Sequence, residues 1–576
     1  MRVLVRPAGS PPLRCRTNAR VSSLAGVLGA SRSPDSIKRL TLVATILGSG
    51  IALLDATVVN VALPTIQRNL GGGLAGQQWV SNAYLLTLGS LILVGGSLGD
   101  VFGERRIFAI GVGGFGLASV LCAAAPTIGF LIAFRALQGV AGALLTPASL
   151  AVIVATFREE ERGPAIGTWT AFGAVAGVLG PLGGGLLLNI ASWRWIFLIN
   201  VPFVIVCIGL ILTVVPRSDR VRTGRRVDYG GALLCALALG GPVFALIEQP
   251  RLGWASPAVA GPLIAGVALF ALFLVYESRH PDPMLPLQLF RRRNFSAGNV
   301  ETLAMYAGLS ILFFFLTLFL QQVAGYSPLQ SGLATLPVTV VMFFLSRLFG
   351  TLADRHGPRL YMGVGPMVAA GGLLLFQRVG IKADYVTEIL PPLVIFSVGL
   401  SMTVAPLTAA VLAGADEDQA GIASGVNNAI ARVAGLLGVA ALGAVVAAQF
   451  TSSLDHRLAG TPLSPPGRRA VAEAKRLTLG RPSVAGVPRP EAVAIAHAAD
   501  QASLHSFRIG MGIAGGLVFL GGAIGAAGIR NPRRRVLAAR CPAGQLVGGN
   551  PDAAGCHAPD GAGRAELAAA STDGAA

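Results

Sequence analysis

Two charged residues lie inside apolar runs of the sequence, where a charge is costly. Asp55 is in "IALLDATVVNVALP" (51–64) and Arg135 is in "LIAFRALQGVAGALL" (131–145). A charged side chain at mid-bilayer costs roughly 2.5–3.5 kcal/mol on insertion scales. Desolvation raises the pKa of an acid and a nearby cation lowers it, so an acid subject to both effects can bind and release a proton. We expect Asp55 to take part in proton or substrate coupling and Arg135 to tune it; the alternative is a purely structural pair.

The sequence offers no motif for covalent or metal chemistry. It contains no GxxxxGKS/T nucleotide loop, no HExxH and no CxxC, and its six cysteines and six histidines are scattered. Such spacings are what nucleotide, zinc and redox sites require. We therefore predict that the protein is not an enzyme and binds no metal and no cofactor.

Composition indicates that most of the chain lies in a membrane. The 576 residues are 53% hydrophobic and 12% charged, whereas about a quarter of a typical soluble protein is charged. The net charge is +18, and the basic residues that produce it lie between the apolar runs rather than along one stripe. This distribution is typical of membrane topology and argues against nucleic-acid binding. We predict a multi-pass, all-α protein of the cell membrane.

Apolar runs of about 20 residues are long enough to span a bilayer as helices. The sequence predicts fourteen such spans, near residues 40–62, 77–98, 106–125, 128–152, 165–188, 195–215, 229–248, 258–276, 297–321, 329–352, 359–377, 387–412, 421–447 and 507–529. Lys and Arg are concentrated in alternate loops, including residues 105–106, 217–226 and 291–293. This bias predicts that both termini are cytoplasmic.

The order of the spans predicts five regions. A basic N-terminal tail (1–36) and a C-terminal tail (531–576) are expected to be disordered. Between them lie a first six-helix bundle (37–216), a linker with two extra helices (217–294) and a second six-helix bundle (295–530). The second bundle contains a long extracellular loop, about 448–506, with a helical piece in "RRAVAEAKR" (468–476).

A loop signature occurs twice, once in each predicted bundle. "GSLGDVFGERR" (96–106) and "GTLADRHGPRL" (350–360) share five residue types at identical spacing. The key positions are Gly96, Asp100, Gly103, Arg105 and Arg106 in the first copy, and Gly350, Asp354, Gly357 and Arg359 in the second. Internal repeats are typical of secondary transporters. We expect charged connectors whose ion pairs form and break as two helical units rock; the alternative is simple topological anchoring.

This signature resembles the G-x-L-x-D-x-x-G-x-R loop of the major facilitator superfamily, and the resemblance extends over residues 40–530. "LIAFRALQGVAGALLTPA" (131–148) resembles the fourth-helix motif of that superfamily, whose arginine and glutamine correspond to Arg135 and Gln138. "LLDATVVNVALP" (53–64) and "WRWIFLINVP" (193–202) resemble the fourteen-helix drug:proton antiporters, the EmrB/QacA subfamily. The resemblance implies a major facilitator fold of two six-helix bundles plus two extra helices.

The stretch "GAVAGVLGPLGGG" (173–185) resembles the fifth-helix motif of antiporters. Four of its glycines share one helical face at spacings of four, three and four, namely Gly173, Gly177, Gly180 and Gly184. Small residues on one face let membrane helices approach closely, and Pro181 favours a bend. The resemblance implies that this face seals the outer side of the contact between the bundles; generic helix packing is the alternative.

Polar and aromatic residues within the spans are candidates for a substrate cavity. They are Asn82, Tyr84, Gln138, Trp169, Phe172, Glu301, Tyr306, Asn428 and Arg432. Asn428 and Arg432 are one turn apart and share a helical face. Aromatic side chains suit flat or hydrophobic substrates, although ordinary packing would account for many of these residues equally well.

Together these features predict export of drug-like or secondary-metabolite molecules by alternating access, driven by the proton gradient. The expected partners are a small hydrophobic substrate, protons and membrane lipids, with no nucleic acid and a monomeric chain. Two alternatives use the same fold, namely export of a lipid or lipid precursor and uptake by proton symport. A third, from a different class, is a transport-dead sensor or membrane-enzyme subunit.

Overall fold

The computed structural model describes residues 33–216, 227–413 and 420–531, and every regular element in those residues is helical. The basic run at 217–226 and nearly all of the two predicted tails lie outside the described residues. Thirteen helical segments in the described part are long and apolar enough to cross a membrane. With α5 (Glu159–Ile190), whose apolar part is Val175–Ile190, they account for the predicted fourteen spans.

The first half contains seven helices. They are α1 (Pro34–Leu70), α2 (Gly73–Phe102), α3 (Glu104–Ala124), α4 (Ile128–Thr156), α5, α6 (Trp195–Leu198) and α7 (Asn200–Thr213). The predicted span 195–215 is thus divided at Ile199. Pro202 explains the division, because it has no N–H to donate to the carbonyl one turn earlier.

The two extra helices form a hairpin against both halves. They are α8 (Tyr229–Leu252) and α9 (Pro257–Arg279). Val243 and Ile247 of α8 form a buried cluster with Leu436 and Ala440 from the second half. On the side of the first half, the Trp79 indole N–H donates to Glu248 Oε1 at 3.1 Å. The hairpin therefore covers the line along which α2 meets the second half.

The second half begins after a short 3₁₀ turn (Leu287–Arg291). Its helices are α10 (Arg293–Gln322), α11 (Pro328–Ala334), α12 (Leu336–His356), α13 (Pro358–Leu375), α14 (Leu390–Ala413), α15 (Ala420–Leu458), α16 (Pro465–Leu477) and α17 (Arg489–Gly528). The predicted span 329–352 is divided at Thr335, where Pro337 follows at the second position of α12.

Residues 448–506, predicted to be a long extracellular loop with a helical piece, are mainly helical. α15 continues to Leu458 and α17 begins at Arg489, while α16 covers the predicted helical piece. The reason is a small apolar core that the three helices share, formed by Phe450, Leu454, Leu458, Ala470, Val471, Ala474, Ile495, Ala498, Ala499 and Ala502. We call the end of the bundle that carries α16 the loop end, and the end that carries the repeated connectors (96–106 and 350–360) the motif end.

Candidate functional site

Asp55 and Arg135 form an ion pair inside the first half. α1 and α4 place the two side chains face to face, with Arg135 Nη1 2.5 Å from Asp55 Oδ2. Their side chains are 0% and 1% exposed. Breaking such a buried pair on one side is costly, because it leaves an uncompensated charge in a medium of low dielectric.

Two amides complete the shell around Asp55. Its Oδ1 accepts from Gln138 Nε2 at 3.0 Å and from Asn200 Nδ2 at 3.2 Å. Both amides also donate to the Ser119 hydroxyl, at 2.9 and 3.3 Å. Sequence reasoning missed Asn200 and Ser119; the available signal was a polar residue within an apolar run. Both carboxylate oxygens of Asp55 are therefore engaged in hydrogen bonds or the ion pair.

Arg135 is equally well satisfied. Its Nε donates to the Val80 carbonyl at 3.0 Å, and Nη1 donates to Gln138 Oε1 at 2.7 Å. The guanidinium lies 4.4 Å from the centre of the Tyr84 ring and 5.9 Å from that of Phe197. Proton uptake by Asp55 would remove the counter-charge of Arg135, so it must be accompanied by a rearrangement of this network or by arrival of another anion.

Several predicted cavity residues lie elsewhere. Tyr84 and Gln138 belong to the network just described rather than to an open pocket. Trp169 is fully buried in a cluster that joins α1, α4 and α5, with its indole N–H donating to the Thr45 carbonyl at 3.3 Å. Trp169 therefore packs within the first half in this structure, and its role in a substrate cavity stays a prediction. Phe172, three residues later, is 54% exposed.

Glu301 also departs from the expected position. It is 0% exposed, and neither carboxylate oxygen has a hydrogen-bond partner. A Cβ added at Gly525 of α17 would meet both a Glu301 oxygen and the Met362 carbonyl of α13. Glu301 therefore packs inside the second half, between α10, α13 and α17, and does not line a space between the halves.

The contact of α15 with α2 brings three other candidates together. A Cβ at Gly89 would lie 3.4 Å from Arg432 Cβ. Arg432 lies close enough to Tyr84 and Tyr306 to act electrostatically on both phenols. Asn82 is fully buried with neither amide atom hydrogen-bonded, and the Tyr306 hydroxyl is also unpartnered.

Asn428 is buried beside the contact between α2 and α15. The neighbouring residue, Asn427, makes the hydrogen bonds to α10. Asn427 Nδ2 donates to Asn299 Oδ1 at 2.9 Å and to Thr302 Oγ1 at 2.8 Å. These bonds join α15 to α10 within the second half. Asn428 is 6% exposed, so its role as a substrate ligand stays a prediction.

The glycine stretch lies where α5 meets both α1 and the second half. Cβ atoms at Gly180 and Gly184 would collide with Thr57 and Val58 of α1. A Cβ at Gly185 would lie 2.6 Å from Leu329 Cα, and one at Gly332 would collide with the Pro181 carbonyl. Gly173 is buried, but Gly177 has open space at its Cβ position. The close approach between the helices therefore involves residues 180–185, the part of the glycine stretch nearer the loop end.

Five glutamines lie at the loop end beside this contact: Gln67, Gln77, Gln78, Gln321 and Gln322. We call them the glutamine clasp. Three of their amides donate across the two halves, from Gln78 to the Val439 carbonyl (2.7 Å), from Gln321 to the Val61 carbonyl (2.9 Å) and from Gln322 to Gln67 Oε1 (3.0 Å). Gln77 donates to the same Gln67 oxygen. The halves are thus joined at the loop end by neutral hydrogen bonds.

The repeated connectors have matching geometry at the motif end. Gly103 and Gly357 have φ of 90° and 86°, a conformation that side chains other than glycine rarely adopt. Arg105 donates to the carbonyls of residues 211 and 212 at the end of α7, and Arg359 donates to the carbonyl of residue 526 at the end of α17. Each arginine therefore caps the last helix of its own half.

Other connector residues are placed as follows. A Cβ at Gly96 would be in ordinary van der Waals contact with Pro147, and Arg106 is exposed. Asp100 has an interaction partner, while the side chain of Asp354 lies outside those the structure describes. Whether ion pairs here form and break during function stays a prediction.

Comparison with known proteins agrees with this architecture. The sequence profile of the Major Facilitator Superfamily matches residues 45–439. The puromycin resistance protein of Streptomyces alboniger is 37% identical over 74% of this chain and 86% of its own length. The tetracenomycin C resistance and export protein of Streptomyces glaucescens is 32% identical over 82% of this chain and 88% of its own length.

Solved structures show the same fold. A bacterial homologue of the human lysosomal transporter Spinster, crystallised in an inward-facing, unoccupied conformation, superimposes with a TM-score of 0.58 at 17% identity. The match covers 86% of this chain and 99% of that one. The profile match, the identity to resistance proteins and the shared fold establish that this chain belongs to the major facilitator superfamily of transporters and is related to its drug exporters.

Proposed function

We propose that this protein is a proton-driven antiporter that exports drug-like or secondary-metabolite molecules across the cell membrane by alternating access. The observation that carries the proposal is the buried Asp55–Arg135 pair with its shell of amides. It is a titratable group inside a transporter fold, held by partners on α4 and α7. The resistance and export proteins named among the relatives support a drug-like cargo.

The geometry supports a defined order of events. In the conformation described here, the halves are joined at the loop end and Asp55 is paired with Arg135. This is the state that has released its proton and awaits cargo. Cargo then binds from the motif end, and the halves rearrange so that the loop end opens. A proton from outside binds Asp55 there, breaks its pair with Arg135 and is exchanged for the cargo; the proton leaves at the motif end when the loop end closes again. With both termini in the cytoplasm, the motif end faces inward and the loop end outward.

The two contacts at the loop end differ in chemistry, but both hold the two halves together there. Residues 180–185 bring α5 against α1 and the start of α11, while the glutamine clasp adds directional hydrogen bonds. Neither contact contains a titratable group. The outer gate therefore responds to protons only through the Asp55 network.

The experiment that tests the proposal uses the purified protein in proteoliposomes. Puromycin, tetracenomycin C and methylenomycin A, the compounds named among the relatives, form the test panel. An imposed pH gradient should drive at least one of them against its concentration gradient, and collapse of the pH gradient should stop the movement. Movement in the same direction as the proton would instead establish symport.

Removing the clasp should shift the conformational equilibrium toward an open loop end. Gln321→Leu/Gln322→Leu removes two hydrogen bonds between the halves, each worth about 0.5–1.5 kcal/mol. The open population should rise roughly 5- to 150-fold. Spin labels at the exposed positions Ile190 and Val493 would report this as a longer distance. Gln501→Leu on α17, outside the clasp, is the matched control, and an unchanged distance distribution in the double variant would disprove a gating role.

A further inference from the structure

The charge available to a ligand between the halves is positive. Both Asp55 oxygens are already engaged by Arg135, Gln138 and Asn200. Arg432 differs, since it is partly exposed and has neither a salt bridge nor a hydrogen bond from its side chain to any residue that the structure describes. It lies in the middle part of α15 against Gly89 of α2, whereas topological arginines lie near helix ends.

The groups around Arg432 add hydrogen-bonding capacity without adding an opposing charge. A Cβ at Gly435 of α15 would meet Ser310, and one at Gly438 would meet Ala307, so the part of α10 that carries Tyr306 packs beside the part of α15 that carries Arg432. The Tyr306 hydroxyl is buried and has no hydrogen-bond partner among the described residues. Glu301, whose carboxylate has no hydrogen-bond partner among the described residues, packs against α13 and α17 rather than facing α2.

A cation within a transmembrane cavity is stabilised by an anion that brings its own hydrogen-bond acceptors. Hydrogen bonds with an ionised donor and acceptor are roughly twice as strong as neutral ones, and a guanidinium matches a carboxylate in planar geometry. A cationic cargo at this position would instead be repelled. The aromatic ring of Tyr306 suits a flat ring system on the same ligand.

We infer that Arg432 selects the charge of the cargo, and that the preferred cargo is an aromatic or polycyclic molecule carrying one acidic oxygen, a carboxylate or an ionised enol. The inference rests on the proposed function in one respect, namely that the space between the halves is where cargo binds. It goes further by assigning the cargo class and the residue that recognises it. The proton site at Asp55 then remains free of cargo contacts.

Three probes with one ring system test this assignment. They are an anthraquinone bearing a carboxylate, its neutral methyl ester, and the same ring with a quaternary ammonium group. Titration calorimetry on the purified full chain should show the carboxylate binding roughly 10- to 100-fold more tightly than the ester, and the ammonium compound more weakly than the ester. Equal affinity of the wild-type protein for the three probes, or no binding of the carboxylate, would overturn the inference.

Variants of two arginines test whether Arg432 causes the preference for the carboxylate. Arg432→Gln should bring the carboxylate-to-ester affinity ratio close to one, and Arg432→Lys should retain most of the preference. Arg347→Gln is the matched control, since Arg347 on α12 is also a span arginine without an ion-pair partner among the described residues. A ratio that survives Arg432→Gln, or falls equally in Arg347→Gln, would show that Arg432 is not the selecting group.

Transport of the ester in the same preparation separates this inference from the proposed function. Charge-selective binding without proton-driven movement would refute the antiport mechanism and leave the role of Arg432 intact. Proton-driven movement of ester and carboxylate at equal rates, unchanged in Arg432→Gln, would refute the cargo assignment alone.

Discussion

An Asp55→Asn variant should lose proton-driven export of every cargo. The substitution keeps the shape of the side chain but removes the charge that pairs with Arg135 and the group that we propose binds the proton. Because one partner of a buried pair is left uncompensated, we expect destabilisation of about 3–5 kcal/mol as well. Uptake into inverted vesicles under an imposed pH gradient measures the first effect, and thermal unfolding of the purified protein measures the second.

A double variant distinguishes coupling from folding. Asp55→Asn/Arg135→Gln removes both charges, so it should recover most of the lost thermal stability while still failing to couple transport to the pH gradient. Full recovery of gradient-driven export in the double variant would mean that the pair is structural only. The same result in the single variant would exclude Asp55 from proton coupling.

A Gly185→Val variant should be unable to close the loop end. A Cβ at this position would lie 2.6 Å from Leu329 Cα and 2.9 Å from the Pro328 carbonyl, both in the opposite half. Overpacking of this kind costs about 1–3 kcal/mol, equivalent to a roughly 5- to 150-fold shift toward the open state. Export should fall in proportion, and the Ile190–Val493 spin-label distance should lengthen.

Gly177→Val is the matched control within the same helix. The space beyond Gly177 is open, so this change should leave both export and the spin-label distance near their wild-type values. If Gly177→Val were as damaging as Gly185→Val, the loss would come from the helix itself rather than from contact between the halves.

The sequence is a good guide to the charged centre of the site. Asp55 and Arg135 are recognisable because an acid and a base within apolar runs have few stable arrangements in a membrane. Asn200 and Ser119 are harder to find, because isolated polar residues on α7 and α3 carry no spacing that relates them to Asp55. Their convergence depends on how four helices rotate about their axes, which tertiary packing determines.

Positions on a helix face are less predictable than the helix itself. Trp169 and Glu301 have the residue types of cavity groups, yet both point into the packed interior of one half. The apolar pattern of α5 and α10 is nearly uniform around the helix, so it does not indicate which side meets another helix. Residues 448–506 are the opposite case. The amphipathic pattern of α16 is clear in the sequence and predicts a helix there.

The most direct test of the central claim is the proton released when cargo binds to the purified protein in weakly buffered detergent solution. The member of the antibiotic panel that is exported best is the ligand, and the release is measured over a series of pH values. We predict that binding releases protons from the wild-type protein, because it favours the state in which Asp55 is ionised and paired with Arg135, and that Asp55→Asn releases none. Release of the same size from Asp55→Asn would contradict the account.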